Sequence, residues 1–254
     1  MSGGRGRHRR ADGVRLALRL ILEQEPPVPA ARKIHFTPAA PRGDDRPDAG
    51  GGLAPPVPSF SHRDPSRAEF WDERFANAFM PWDAAGVPQA LRDFVAAEGA
   101  PRATLIPGCG AAYEAAWLDA QGWPVRAIDF APVAVASAQA QLGPRASLVE
   151  QADFFTYTPP FALDVVYERA FLCALPRTLW QDYARRMAQL LPQGARLAGF
   201  FFLKETQRGP PFGIAPQALD ALLTQDFVCE ADRKVDDSVP VFAGAEHWMV
   251  WRRR

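Results

Sequence analysis

Gly108-Cys109-Gly110 follows the short apolar run Ala103-Thr104-Leu105-Ile106 and precedes a stretch where Tyr113, Ala116, Trp117 and Ala120 recur at helical steps. Glycine in such a strand-to-helix turn tolerates positive φ and lets the backbone close on a ligand. The turn either cradles a nucleotide or simply joins two elements. The third glycine of a dinucleotide fingerprint would fall at position 113, which is Tyr113, a side chain that obstructs the approach of a helix to a pyrophosphate. A nucleoside without a pyrophosphate needs no such approach. S-adenosylmethionine is such a ligand, and a nicotinamide dinucleotide is the weaker alternative. Asp129 lies 21 residues beyond Gly108, at the end of the next predicted strand. Its carboxylate can accept both ribose hydroxyls, or it can cap the helix that Pro132 opens. Asp153-Phe154-Phe155 then offers an acceptor and an apolar wall for an adenine, with Phe155 read as core rather than wall. Glu168 and Arg169 either pair with each other or face the cofactor and acceptor.

Other chemistry is missing from the pattern. No Ser/His/Asp arrangement, pair of catalytic carboxylates or metal-spaced histidines occurs, and no metal is expected. His8, His35 and His62 fall in or beside the N-terminal segment, and His247 is read as structural. Cys109, Cys173 and Cys229 are odd in number and widely spaced, which predicts neither disulfides nor a metal cluster but a reducing, cytoplasmic setting. Cys109 is read as a small packing residue. Lys plus Arg equals Asp plus Glu at 29 each, so nothing global argues for nucleic acid. No uncharged apolar run approaches the ~20 residues of a membrane helix. A monomer acting on a small molecule is expected.

The elements that must position these residues alternate. Strands are predicted at 103–106, 125–129, 146–150, 161–167, 195–203, 226–231 and 246–251, with helices at 113–120, 132–142, 176–191 and 216–224. The spacing predicts an α/β fold: a seven-stranded, mostly parallel sheet with helices on both faces. Ligands in such sheets lie beyond the carboxyl ends of the strands, at the switch in strand order. The first 66 residues differ. They carry 11 Lys or Arg against 7 Asp or Glu, a net of +4, and 10 of the 25 prolines. Residues 1–60 are expected to be a disordered, basic, Pro/Gly-rich arm with too few large apolar residues to offset ordering entropy, and 61–254 the folded domain. The arm also motivates a non-catalytic, nucleic-acid-binding alternative.

Residues 70–254 resemble the thiopurine S-methyltransferase superfamily, which includes plant and bacterial halide and thiol methyltransferases. The matching pieces are FWDERFANAFMPWD (70–83), PGCG (107–110), AIDFAPVAV (127–135), ADFF (152–155), VYERAFLCALP (166–176), GPPFGI (209–214) and EHWMVW (246–251). The resemblance implies a class I (Rossmann-like) methyltransferase fold and S-adenosylmethionine as cofactor. It also implies that Trp71, Phe75 and Trp82 cover the cofactor and that Gly108, Asp129, Asp153, Phe154 and Arg169 contact it. Phe75 replaces a frequent tryptophan, and Arg169 follows the thiopurine branch where the halide and thiol branch is commonly aromatic. Trp faces stabilise a sulfonium cation by roughly 0.5–2 kcal/mol, although Trp71 and Phe75, one helical turn apart, equally suit an amphipathic helix. Phe79, Met80 and Trp82 are expected to meet Pro210-Pro211-Phe212 at an apolar acceptor mouth. Arg169 there would stabilise an anion, which favours a thiol or thiopurine sulfur, or a halide, over an oxygen or nitrogen acceptor.

Overall fold

A computed structural model describes residues 59–254. The arm read over positions 1–60 therefore lies almost wholly outside the described residues. Its last member, Phe60, is within them and is buried, 5.2 Å from the ring of Phe79, while the guanidinium of Arg74 lies 4.4 Å from its centroid. The folded body thus extends past the expected boundary at Ser61. A large aromatic group has more to gain from burial than the surrounding Pro/Gly composition indicates.

Seven strands form one sheet: β1 (Thr104–Pro107), β2 (Val125–Asp129), β3 (Val149–Gln151), β4 (Val165–Arg169), β5 (Arg196–Phe202), β6 (Phe227–Lys234) and β7 (Glu246–Arg253). Their order is β3-β2-β1-β4-β5-β7-β6. The first five are parallel, and β7 runs antiparallel between β5 and β6. The expected architecture is present, with the order reversing at β1 and β4. Helices α1 (Ala68–Ala76), α2 (Gln89–Glu98), α3 (Tyr113–Ala120), α4 (Pro132–Leu142), α5 (Trp180–Leu190) and α6 (Pro216–Leu223) complete it. Among the described residues, no helix is long and apolar enough to cross a membrane.

Alternation along the central strands separates two cores. Leu105, Val166, Leu197 and Trp251 join Tyr183 and Met187 of α5 and Leu219 of α6 on one face. Ile106, Tyr167, Ala198 and Val250 join Leu91 of α2, Leu118 of α3 and Val135 of α4 on the other. Both faces being covered, the central strands read as continuous apolar runs.

Several boundaries differ from the sequence expectation. Residues 143–148 form a 3-10 turn begun by Gly143-Pro144, which leaves β3 only Val149–Gln151. β4 starts at Val165, just after Asp164, whose side chain accepts the Ala103 N–H at 2.8 Å while the Asp164 and Val165 N–H groups both donate to the Ala103 carbonyl at 2.9 and 3.1 Å. The helix expected over 176–191 is a 3-10 turn, Arg177–Leu179, followed by α5, since Pro176 holds an extended conformation. α2 was not among the expected elements, although Ala90, Leu91, Phe94 and Val95 recur at helical steps and face the core.

β4 and β5 approach closely where Glu168 pairs with Gly199. A Cβ at 199 would stand 1.9 Å from the Glu168 carbonyl oxygen. Gly199→Ala should therefore cost about 3 kcal/mol or more, the upper end for overpacking, as read by urea denaturation, whereas Gly86→Ala, with open space around it and no positive φ, should cost less.

Candidate active site

Beyond the carboxyl ends of β1, β2 and β4, and under α1, lies a cavity of about 760 Å³. Its wall includes all eight residues singled out from sequence: Trp71, Phe75, Trp82, Gly108, Asp129, Asp153, Phe154 and Arg169. Trp71 and Phe75 share one face of α1. Trp82, from the loop after it, meets Trp71 edge-on at 5.6 Å and Phe75 at 6.2 Å. The indole N–H of Trp71 donates to the Pro65 carbonyl at 2.8 Å, and Asp72 accepts the Val133 N–H at 2.8 Å, tying α1 to the start of α4. The aromatic cover is thus anchored on both sides.

Gly108 has φ +58°, and a Cβ there would stand 2.5 Å from the Phe171 ring. Only glycine fits. Gly110 (φ +51°) aims its N–H at Asp129 Oδ2, 3.2 Å away, and Ala131 N–H meets Oδ1 at 3.0 Å. Asp129 is not the helix cap that its position allowed: Ala131 is the N-cap, with no side-chain bond to the helix. Each carboxylate oxygen retains a lone pair for a ligand hydroxyl. Burial pushes the Asp129 carboxyl up to about 6, against the pull of the Ala131 and Gly110 N–H groups.

Asp153 closes an Asx turn, its Oδ1 accepting the Phe155 N–H at 2.9 Å. Both neighbouring aromatics line the cavity, and Phe155, expected in the core, is the less buried of the two. Phe154 is almost fully buried, 5.1 Å from Phe171 and 6.2 Å from Tyr183, whereas Phe155 is only half-buried. After a tight turn, side-chain direction follows the backbone and not the alternation of a strand.

Glu168 and Arg169 do not pair. Consecutive residues on a strand point to opposite faces, and Arg169 Nη1 instead meets Glu114 Oε1 at 3.2 Å. Glu168 turns inward and is 1% exposed. Its Oε2 accepts the N–H groups of Phe171 (2.9 Å) and Leu172 (3.3 Å), and its Oε1 has no partner. This carboxyl thereby holds the turn through Ala170, a non-glycine residue at φ +58°. Burial drives Glu168 up to about 8, the Phe171 and Leu172 N–H groups only partly opposing it.

Phe79, Trp82, Pro210 and Pro211 line the cavity, joining the two segments expected at the acceptor mouth. Met80 instead lines a smaller cleft of about 60 Å³ shared with Tyr113, Glu114 and Arg169. Phe212 turns away, 5.4 Å from the Arg177 guanidinium carbon. His247 bonds Asp232 at 2.6 Å across the β6–β7 ladder, and burial pushes the Cys109 thiol well up. Cys109 is therefore held as the unreactive thiol. Sequence inspection missed Glu114, since an acid in the first turn of a helix ordinarily complements the dipole. It also missed Arg74, which reaches the cavity with its guanidinium 3.2 Å from the Phe70 centroid.

A family model described as thiopurine S-methyltransferase matches residues 66–254. The thiopurine S-methyltransferase of Vibrio cholerae serotype O1 (strain O395) is 30% identical over 197 residues, 69% of this chain and 87% of that protein. Probable thiol methyltransferase 2 of Arabidopsis thaliana is 26% identical over 159 residues, 60% of this chain and 70% of that protein. Among solved structures, Burkholderia thailandensis 1,6-didemethyltoxoflavin-N1-methyltransferase, with its substrate and S-adenosylhomocysteine bound, superposes with a TM-score of 0.61 at 18% identity, covering 78% of this chain and 93% of that one. Magnesium protoporphyrin IX methyltransferase of Synechocystis, with bound S-adenosylhomocysteine, gives 0.55 at 14%, covering 72% and 97%. These likenesses show a common fold.

A carboxyl whose folded pKa exceeds its unfolded value binds more protons in the native state, so stability falls as pH rises between the two values. For Glu168 that window runs from about 4.5 to about 8. Glu168→Gln keeps an oxygen for the two N–H groups but cannot ionise. Between pH 5 and 8.5 the wild type should lose a few kcal/mol relative to this variant in urea denaturation. Parallel pH profiles for the two proteins would contradict the assignment.

Proposed function

The chain belongs to the thiopurine S-methyltransferase family and is an S-adenosylmethionine-dependent methyltransferase; from that premise we propose that it methylates a small sulfur acceptor, a thiol or thiopurine, or a soft halide. The observation that carries the proposal is the meeting, in the wall of one cavity, of a nucleoside-binding set, an apolar set and the Arg169 side chain. Asp129 and the Gly108–Gly110 turn form the first, and Phe79, Pro210 and Pro211 the second. At about 760 Å³ the cavity falls in the upper part of the ~300–1,000 Å³ that ligand pockets span. It has room for a nucleoside and an organic acceptor together.

The residues fit the cofactor. Asp129 would accept the ribose hydroxyls, its oxygens already oriented by backbone N–H groups. Gly108 would let the backbone approach, Asp153 and the Phe154 ring would border the base, and Trp71, Phe75 and Trp82 would cover the sulfonium. When bound, S-adenosylmethionine supplies a methyl group on an already activated leaving group, so the protein's share is positioning and exclusion of water. The aromatic cover excludes water. Arg169, at the cavity wall, would favour the ionised form of a thiol, which lowers its pKa without a dedicated base. The same proposal takes the protein as a monomer in a cytoplasmic setting, and the free state of all three cysteines supports the reducing compartment. It also takes residues 1–58 as dispensable for catalysis.

Turnover of radiolabelled S-adenosylmethionine against thiols, thiopurines, iodide, phenols and amines tests the acceptor class; activity confined to amines or phenols would overturn the preference for sulfur. A chain beginning at Ser59, which keeps Phe60, should turn over at the rate of the full chain. Asp129→Ala should weaken S-adenosylhomocysteine binding by roughly 1–3 kcal/mol, the cost of a lost charged hydrogen bond. Since the ionised carboxylate is the better acceptor for two hydroxyls and Asp129 titrates at about 6, wild-type affinity should fall as pH drops through 6. In Asp129→Asn that pH dependence should disappear, and calorimetry at pH 5, 6 and 7 checks both.

A further inference from the structure

We propose that Glu114 is a positioning residue that fixes the Arg169 guanidinium and offsets its charge, so that the site promotes ionisation of a bound thiol without retaining free inorganic anions. This rests on the acceptor role of Arg169 proposed above and narrows it toward organic thiols over halides.

Glu114 lies in the first turn of α3, and its residue is 7% exposed. One oxygen, Oε1, receives both Arg169 Nη1 at 3.2 Å and the Tyr167 hydroxyl at 3.3 Å. The same Nη1 reaches the Gly86 carbonyl at 3.4 Å, and the guanidinium carbon lies 5.3 Å from the centroid of the Phe200 ring. Every protein hydrogen bond of this guanidinium therefore uses one nitrogen. Nε and Nη2 have no acceptor among the described residues, and the side chain borders both the main cavity and the small cleft. The donors left over are those available to a ligand.

Two consequences follow. Held at one nitrogen and stacked at its face, the guanidinium presents its free edge in a set direction, which reduces the reorganisation that binding would require. A carboxylate 3.2 Å from the cation also turns an isolated charge into a dipole. Its pull on an anion is short-ranged, so it favours a thiolate formed in contact with the free edge over an ion drawn from bulk solvent. The charged or titratable groups that face Arg169 are Glu114 from α3, Tyr167 from its own strand and Glu246 from β7. Only Glu114 makes an ion pair with it.

Glu114→Gln in the full chain separates charge from geometry, because the amide oxygen can still accept from Nη1 and Tyr167. With S-adenosylhomocysteine bound, titration with thiocyanate or iodide followed by calorimetry should give binding about tenfold tighter than in the wild type. The pH profile of kcat, which reports groups in the bound complex, should move for an alkyl thiol to lower pH by up to about one unit. Equal anion affinity and unmoved profiles in the two proteins would overturn the role of Glu114 while leaving the methyltransferase assignment intact. Failure of the wild type to bind S-adenosylhomocysteine would instead strike the cavity assignment beneath it. Should Glu114→Gln fail to fold, the double variant Glu114→Gln/Arg169→Met decides. Recovery of folding, with anion binding no tighter than wild type, marks Glu114 as the counterion of Arg169. A double variant that also fails to fold would assign Glu114 to packing alone and overturn the proposal.

Discussion

Phe171 packs its ring into the space that a side chain at position 108 would occupy. That contact joins the turn after β1 to the turn after β4, the two strands between which the sheet order reverses. Gly108 at positive φ leaves the room, and the Glu168 carboxyl, accepting the Phe171 and Leu172 N–H groups, holds the ring in it. With the two turns locked together, Asp129, Arg169 and the aromatic cover face one cavity. Loosening either turn would separate Asp129 and the Gly108–Gly110 turn from Arg169 and the aromatic cover.

The acids near the cavity do different work because their surroundings differ. Asp129 is buried yet met by backbone donors on both oxygens, and it titrates at about 6. Glu168 is more deeply enclosed, with one oxygen unpartnered, and titrates at about 8. Burial also raises Glu114, but the Arg169 charge draws it back. The first can meet a ligand, the second shapes a turn, and the third balances a cation. Desolvation is common to all three, and the donors available to each decide the outcome.

The modest chemical demand of methyl transfer accounts for what the cavity contains. An activated methyl donor needs an acceptor held in line and kept dry, and the wall is accordingly rich in aromatic rings and prolines, with Arg63, Arg74, Asp129, Asp153 and Arg169 as its charged members. Trp71, Phe75 and Trp82 meet edge to face, an arrangement that closes a surface while leaving ring faces available to a cation.

The alternation of strands and helices, the glycine turn and the carboxylate after β2 were legible in the sequence because each depends on local rules: hydrophobic period, turn chemistry and side-chain reach. The same rules missed the starts of β3 and β4, which depend on where a neighbouring strand offers partners. They also left open a pair between Glu168 and Arg169, adjacent in sequence, although strand geometry sends the two to opposite faces. The actual partner, Glu114, is 55 positions away, and only the packing of α3 beside β4 brings it within 3.2 Å of the guanidinium. Phe60 was hidden by its Pro/Gly neighbours for a related reason, its burial being decided by Phe79 and Arg74. Residue types and spacing pointed to the glycine turn, Asp129 and Asp153, and the family resemblance pointed to Trp71, Phe75, Trp82 and Arg169. Which of them carry charge, and what compensates that charge, was decided by burial and by contacts distant in the chain.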